Sequence, residues 1–215
     1  MIRRIASLAI FAATFAGGFC APVAAQEMAP DALVRKSIDE VLVLIKADKN
    51  PAGSQKVLEV IEAKVLPHFD FARMTRLAVG RNWAQASDAQ KEALTREFRT
   101  LLVRTYSTSL SQYRNQTIDV RPTKLSPQDK DAVVKTLVNQ PGGQPIPIDY
   151  GMERTDAGWK VYDVIVDGVS LVTTYRGSFN DQIQKSGIDG LVKTLADRNR
   201  SSEPPKAPVK AESKK

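Results

Sequence analysis

The sequence predicts an α+β fold in which a curled antiparallel sheet of about four strands packs with N-terminal and C-terminal helices. Two patterns lead to this prediction. Before Thr117 and again after Gly168, apolar residues recur at three- and four-residue steps, the spacing of helices with one buried face. Between them, as far as Val166, apolar residues alternate with polar ones or form short β-branched runs, which is typical of strands. The order is therefore helices, sheet, helices.

Four helical segments are expected before the sheet. The first three are Pro30–Lys46, Gln55–Val65, which stops before Pro67, and short helical turns over Phe69–Val79. The fourth is a long helix that begins at Ser87, where Gln90 completes a capping box three residues later, and continues to Tyr113.

Four strands joined by short connections are expected next, and they predict an antiparallel meander. Their ranges are Thr117–Arg121, Ala132–Asn139, Ile146–Glu153 and Trp159–Val166. After Gly168 the helical spacing returns, Gly187 ends that helix, and Asp189–Leu195 begins another short one.

Composition excludes several classes of site. The chain has 215 residues and a formal charge of +7, with one cysteine, Cys20, and one histidine, His68. A zinc site built from cysteine and histidine needs about four ligands, so no cofactor or metal is expected. The excess positive charge lies largely in the two termini, and the remaining chain is only mildly basic, which argues against nucleic-acid binding.

The two ends of the chain are predicted to lie outside the folded domain. Arg3 and Arg4 precede the apolar run Ile5–Phe19, and small residues lead to Ala25, as in a cleaved secretory signal peptide covering residues 1–25. One α+β domain is expected over 26–200. Residues 201–215 are rich in lysine and proline and predict a disordered tail.

Catalytic machinery is hard to assemble from these residues. No phosphate-binding glycine motif occurs. Ser170 could act as a nucleophile with His68 as its base, but nothing in the spacing of these residues supports a catalytic triad. Asp149, Asp163 and Asp167 could form paired carboxylates, but the strand pattern turns the first two outward and puts the third in a turn. We therefore expect no enzyme.

Basic residues allow two interpretations. Arg73, Arg76 and Arg81 could meet a phosphate or could form a solvated face. The lysines of the tail could attract an anionic surface or could simply keep the protein in solution.

The apolar residues also leave two possibilities open. The long helix, the sheet and the final helices each present a broad apolar face. These faces could close on one another as a core, or they could stand apart around a cavity for an apolar ligand.

Several strings resemble one family, the MlaC family of periplasmic phospholipid-binding proteins, also called toluene-tolerance proteins. They are Val65–Phe71, Leu77–Trp83, Tyr162–Val164, Gly168–Arg176 and Gly187–Leu191. In this order, and together with the predicted signal peptide, they cover roughly Pro30–Arg198.

The resemblance implies a soluble periplasmic carrier that binds glycerophospholipid as cargo and maintains outer-membrane lipid asymmetry. It would move lipid between the outer and inner membranes of a Gram-negative envelope. The implied partners are an inner-membrane ABC transporter complex with an MCE-domain ring and an outer-membrane lipoprotein–porin complex.

The resemblance also implies an apolar lipid cavity between the sheet and its helices. By their positions in the matching motifs, the expected lining residues are Tyr106, Ile146, Ile148, Tyr150, Met152, Val169, Val172 and Thr173. Secondary candidates are Leu77, Val79, Phe98 and Leu102.

Three alternatives stay open at this point. An envelope ester hydrolase would use Ser170 and His68. An adaptor that binds only another envelope protein would carry no lipid, and a binder of anionic polymers would depend on residues 201–215.

Overall fold

The computed structural model describes residues 27–47, 55–111 and 116–201. The predicted signal peptide, nearly all of the predicted tail and the end of the long helix at Tyr113 lie outside these residues.

The helices before the sheet agree closely with the predicted segments. They are α1 (Pro30–Ala47), α2 (Gln55–Val60), α3 (Phe71–Val79) and α4 (Asp88–Ser111). The predicted second helix is α-helical only to Val60, and a π-helical turn (Ile61–Val65) and a 3-10 turn (Leu66–His68) complete it. A further 3-10 segment, Gly80–Gln85, joins α3 to α4.

Short-range hydrogen bonds fix where α3 and α4 begin. The Asp70 carboxylate accepts the backbone N–H of Arg73 at 2.8 Å, which caps α3. The predicted capping box is present before α4, where the Ser87 hydroxyl accepts from the Gln90 N–H and the Gln90 amide oxygen accepts from the Ser87 N–H.

The sheet is an antiparallel meander with the strand order β1-β2-β3-β4-β5. Its strands are β1 (Thr117–Val120), β2 (Asp131–Asn139), β3 (Ile146–Thr155), β4 (Gly158–Val166) and β5 (Val169–Ser170). The predicted antiparallel meander of about four strands is confirmed, and the structure adds a short fifth strand, β5. The two residues of β5 are too few to show alternation, so the sequence pattern assigned them to the following helix.

A register shift in the β3–β4 pair lies between Gly151 and Met152. Close to it, the edge of β4 that faces away from β3 pairs with the chain that leads into α3. Phe69 forms a parallel bridge with Val161, and the Asp70 N–H donates to the Val161 carbonyl at 2.8 Å. The sheet is thereby bound directly to the start of α3.

The two predicted C-terminal helices form one element, α5 (Leu171–Arg200), with an interruption at Gly187. The Ser170 hydroxyl accepts from the Thr173 N–H at 3.0 Å and caps the helix start. Gly187 has φ 71° and ψ −177°, a conformation that favours glycine, which explains the predicted break.

Buried apolar residues form two main clusters. The first, which we call the helical core, joins α3, α4 and α5 and includes Met74, Phe98 and Phe179. The second, the sheet core, joins α1 to one face of the sheet and includes Leu33, Val134 and Met152. Phe69 packs against both clusters, so the two cores meet at the junction before α3.

Candidate functional site

One face of the sheet is apolar across its full width. Directly opposite residues of antiparallel neighbours point to the same face, so the register assigns each side chain to a side. A row of such partners crosses all five strands, and it consists of Val120, Thr136, Ile148, Val166 and Val169. We call the side of the sheet that carries this row the inner face.

The four predicted lining residues of β3 alternate along the strand and share the inner face. Met152 is fully buried in the sheet core, and Tyr150 packs against that core. Ile146 and Ile148 are half-buried and belong to neither core. The inner face is therefore buried in the sheet core at the Met152 end and only half-covered at the Ile146 end.

The predicted lining residues on helices lie in or against the helical core. Val79, Phe98, Leu102 and Val172 are buried members of this core, and Leu77 and Tyr106 are half-buried residues packed on it. Edge-on ring contacts organise its centre. The Phe98 ring lies 4.9 Å from that of Tyr175 and 5.0 Å from that of Phe179, centroid to centroid.

The last two predicted residues have different surroundings. Val169 is half-buried on β5 and, opposite Val166, faces inward. Thr173 is exposed in the first turn of α5, where its N–H donates to the Ser170 hydroxyl. The structure therefore brings Val169 to the inner face and leaves Thr173 at the surface.

Two half-buried tyrosines pack on the two cores, one on each. Burial raises the pKa of the Tyr150 hydroxyl to about 12, although part of this side chain remains accessible. Burial is also the main reason for the raised pKa of Tyr106, with a smaller effect from Tyr175. Tyr150 packs against the sheet core and Tyr106 against the helical core, and both keep part of their surface accessible.

Further inner-face residues were not among the predicted lining residues. They share the alternation of their strands and are Ile118, Thr136, Val138, Val164 and Val166. The sequence shows Val164 and Val166 as apolar residues of a strand. However, β4 is apolar at consecutive positions, so its pattern alone does not identify which residues face the inner side.

Ser170 and His68 have separate partners. The Ser170 hydroxyl donates to the Asp163 carboxylate at 2.5 Å, and the other oxygen of Asp163 accepts the Val172 N–H at 3.2 Å. The pKa of His68 is lowered by burial and then by the charges of Lys160 and Lys36. These contacts give Ser170 a capping role and do not bring the two residues together as a nucleophile and its base.

The three arginines after His68 differ in their surroundings. Arg73 forms ion pairs with Asp131 and Glu153 and lies 3.7 Å above the centre of the Tyr162 ring, so it joins α3 to three strands. Arg76 and Arg81 are exposed, as on a solvated face.

Two searches of the described residues found no special chemistry. Within 27–47, 55–111 and 116–201, no group of three or more metal-binding side chains occurs. None of the helices in these ranges has the length and apolar character required to cross a bilayer.

Comparison with known families decides what kind of protein this is. A family model described as MlaC protein matches residues 35–197, most of the chain. The chain belongs to the MlaC family.

Relatives and a solved structure agree with membership of the MlaC family. The chain is 30% identical to toluene tolerance protein ttg2D of Pseudomonas putida over 80% of each chain. It is 22% identical to the intermembrane phospholipid transport system binding protein MlaC of Haemophilus influenzae, over 77% of this chain and 80% of that protein.

One structural neighbour is a phospholipid-binding protein from Ralstonia solanacearum, solved in complex with a phospholipid. Its TM-score is 0.72 at 40% sequence identity, covering 79% of this chain and 96% of that one. The α+β fold of this MlaC family member is therefore confirmed by a solved relative.

Proposed function

We propose that this protein is a periplasmic carrier of glycerophospholipid. The observation that carries the proposal is the half-covered part of the inner face, where Ile146, Ile148 and Val169 lie outside both cores. The acyl chains of a lipid would occupy a hollow between this face and the helical core. The phospholipid bound to the Ralstonia relative supports the same class of ligand.

The physical chemistry of lipids explains why such a hollow is useful. Two acyl chains hold roughly thirty methylenes, and at about 0.8 kcal/mol each their exposure to water costs about 24 kcal/mol. A free lipid therefore crosses an aqueous space slowly. A carrier has to cover the chains and leave the headgroup in water, because burying a charged headgroup without partners is costly.

The apolar rows of the inner face fit the first requirement. The branched side chains of valine and isoleucine and a tyrosine ring line it. The Thr136 hydroxyl donates to the Ile148 carbonyl at 2.6 Å and needs no further partner. No bond is made or broken in carriage, so the proposal requires no catalytic group and no cofactor.

The finer parts of the proposal concern the system around the carrier. A signal peptide over residues 1–25 would export the chain, residues 26–200 would form the carrier domain, and 201–215 would be a tail. Lipid would pass between the outer and inner membranes, from or to an outer-membrane lipoprotein–porin complex and an inner-membrane ABC transporter with an MCE-domain ring. Energy for directed movement would come from that transporter, and outer-membrane lipid asymmetry would be maintained.

Native mass spectrometry of the purified protein, with organic extraction of the same sample, tests carriage. We expect additional masses that correspond to phospholipid and disappear on extraction. Two glutamate substitutions on opposite faces of the sheet sharpen the test. Ile148→Glu puts a charge on the inner face and should abolish the bound lipid, whereas Val133→Glu changes an exposed side chain and should leave it in place.

Circular dichroism establishes that both variants are folded. A folded Ile148→Glu protein with its full lipid content would contradict the proposed site. Absence of lipid from the wild-type protein, together with failure to take up phospholipid from vesicles, would contradict carriage itself.

A further inference from the structure

Strand β2 is longer than its neighbour at the edge of the sheet. Strand β1 ends at Val120, opposite Thr136, and one more backbone bond follows, from the Arg121 N–H to the Lys135 carbonyl at 2.9 Å. Strand β2 begins at Asp131. The stretch from Asp131 to Val134 therefore extends past the end of β1.

The main chain of this stretch has an open side. In an antiparallel strand, the N–H and the carbonyl of one residue point to the same side, and those of the next residue point to the other side. The backbone groups of Asp131 and Val133 therefore point away from β3, as those of Lys135 do. The nearby Thr123 N–H donates to the Asp31 carboxylate at 3.4 Å instead. Among the described residues, the N–H and carbonyl of Val133 have no hydrogen-bond partner. Such an edge is a template for another strand.

A cavity of about 440 Å³ lies against the same edge. Its walls are the connection from Arg121 to Leu125 and the residues of β2 between Asp131 and Lys135. The Val133 side chain is 47% exposed there, a large exposure for an apolar strand residue. This cavity is separate from the proposed lipid site.

The charges around the cavity leave a positive excess. Lys124 and Lys135 form no ion pair within the part of the chain that the structure describes, although Lys135 lies opposite Asp149 in the register. Asp131 is paired with Arg73, so Asp129, which accepts the Ser126 N–H at 2.7 Å and keeps its charge, is the one lining acid that offsets the two lysines.

We propose that the β2 edge from Asp131 to Val134 binds an extended, acidic segment of a partner protein as an added strand. The partner's main chain would bond to Val133, and an apolar side chain would cover the exposed valine. Acidic side chains would meet Lys124 and Lys135, which explains the preference for an acidic segment. The lysine-rich end of this chain has the wrong charge, and a second copy would bring the same two lysines to the edge.

Two synthetic seven-residue peptides test the proposal, Thr-Glu-Thr-Val-Thr-Glu-Thr and Thr-Lys-Thr-Val-Thr-Lys-Thr, in each of which the central valine and the two charged residues share one face of the strand. We expect the acidic peptide to bind at least tenfold more tightly, with protection of the Val133 amide from hydrogen exchange. Added salt should weaken that binding.

Three variants locate the binding. Val133→Pro removes the open N–H without removing a bond to β3, and Lys124→Glu with Lys135→Glu reverses the local charge. Each change should weaken binding of the acidic peptide at least tenfold. Lys185→Glu, an exposed lysine of α5, is the matched control and should leave it unchanged. If Val133→Pro fails to fold, the lysine double variant and the amide protection decide.

The following outcomes would overturn the proposal. One is equal affinity for the two peptides, and another is unchanged binding in the folded Val133→Pro or lysine double variant. Self-association of the wild-type protein that Val133→Pro removes would identify a second copy as the occupant. Binding to anionic vesicles that needs the lysines but survives Val133→Pro would identify a membrane surface. Lipid content should be unaffected by every one of these changes, so the carrier proposal stands or falls separately.

Discussion

Val166 and Val169 lie directly opposite each other across the last two strands of the sheet. The turn between them consists of Asp167 and Gly168, with φ values of 50° and 76°. Because of this turn, Val169 faces the inner side, and three residues later Val172 is buried in the helical core. The chain passes from the sheet to the helices here, so this junction determines how the two surfaces of the proposed lipid site face each other.

Val169→Glu should abolish lipid co-purification. The substitution places a charge on the inner face, where acyl chains would otherwise contact valine, and an unpaired buried charge is strongly unfavourable. Native mass spectrometry measures the loss. Thr173→Glu is the matched control, because Thr173 is exposed in the first turn of α5, where an acidic residue is favourable.

The lipid contents of these two variants show whether Val169 and Thr173 line the proposed lipid site or lie at the surface. Full lipid content in a folded Val169→Glu protein would remove Val169 from the proposed site. Loss of lipid in Thr173→Glu would show that Thr173 contributes to the lining after all.

Gly168→Ala should destabilise the fold by about 1–2 kcal/mol, because a positive φ is unfavourable for any residue with a Cβ. Gly177→Ala is the opposite case. Gly177 lies inside α5, its φ is not positive, and a Cβ there would meet no atom within 4 Å. It should stabilise the protein by up to about 1 kcal/mol through better helix propensity. Urea denaturation of both variants measures the two effects, and a neutral or stabilising Gly168→Ala would contradict the first.

Ser170→Ala should lower the free energy of unfolding by about 0.5–2 kcal/mol, since it removes the cap of α5. Lipid content should not change. Ser170→Thr keeps a hydroxyl and should retain most of the stability. If instead the wild-type protein hydrolysed a lipid ester and Ser170→Ala abolished that turnover, the hydrolase alternative would be correct.

The stability of the protein should fall on mild acidification because of His68. Burial, together with Lys160 and Lys36, holds the pKa of His68 below its ordinary value of 6.5. The unfolded chain therefore takes up this proton first, and stability is lost as the pH falls through about 6.5.

His68 is the only histidine in the chain, so His68→Gln isolates its effect. We expect a smaller loss of unfolding free energy between about pH 7.5 and pH 5.5 in the variant than in the wild type. The same pH dependence in both proteins would contradict the lowered pKa.

Much of the fold could be predicted from local signals. The capping box at Ser87, the strand β3 with its four apolar residues on one face and the break at Gly187 each depend on neighbouring residues and appear in the structure as predicted. Strand β5 could not be predicted in this way, since two residues carry no period and their pairing with β4 depends on the turn before them.

The candidate site was only partly predictable for the same reason. Periodicity identified Ile146, Ile148, Tyr150 and Met152 as one face of a strand, but it could not distinguish a buried core position from the wall of a hollow. In the structure Met152 is a buried member of the sheet core, to which α1 also contributes, and Ile148 is not a member of either core. That difference depends on which helix lies above each residue.

The sequence by itself determined the family, the order of helices and strands and the apolar side of β3, because motifs, caps and periodicity are local properties of the chain. Only the tertiary structure decided that two cores form, that Val169 joins the inner face and that Val133 lies at an open edge. Each of these depends on residues far apart in sequence, where the length of β1, the turn at Gly168 and the packing of α1 determine which surfaces meet.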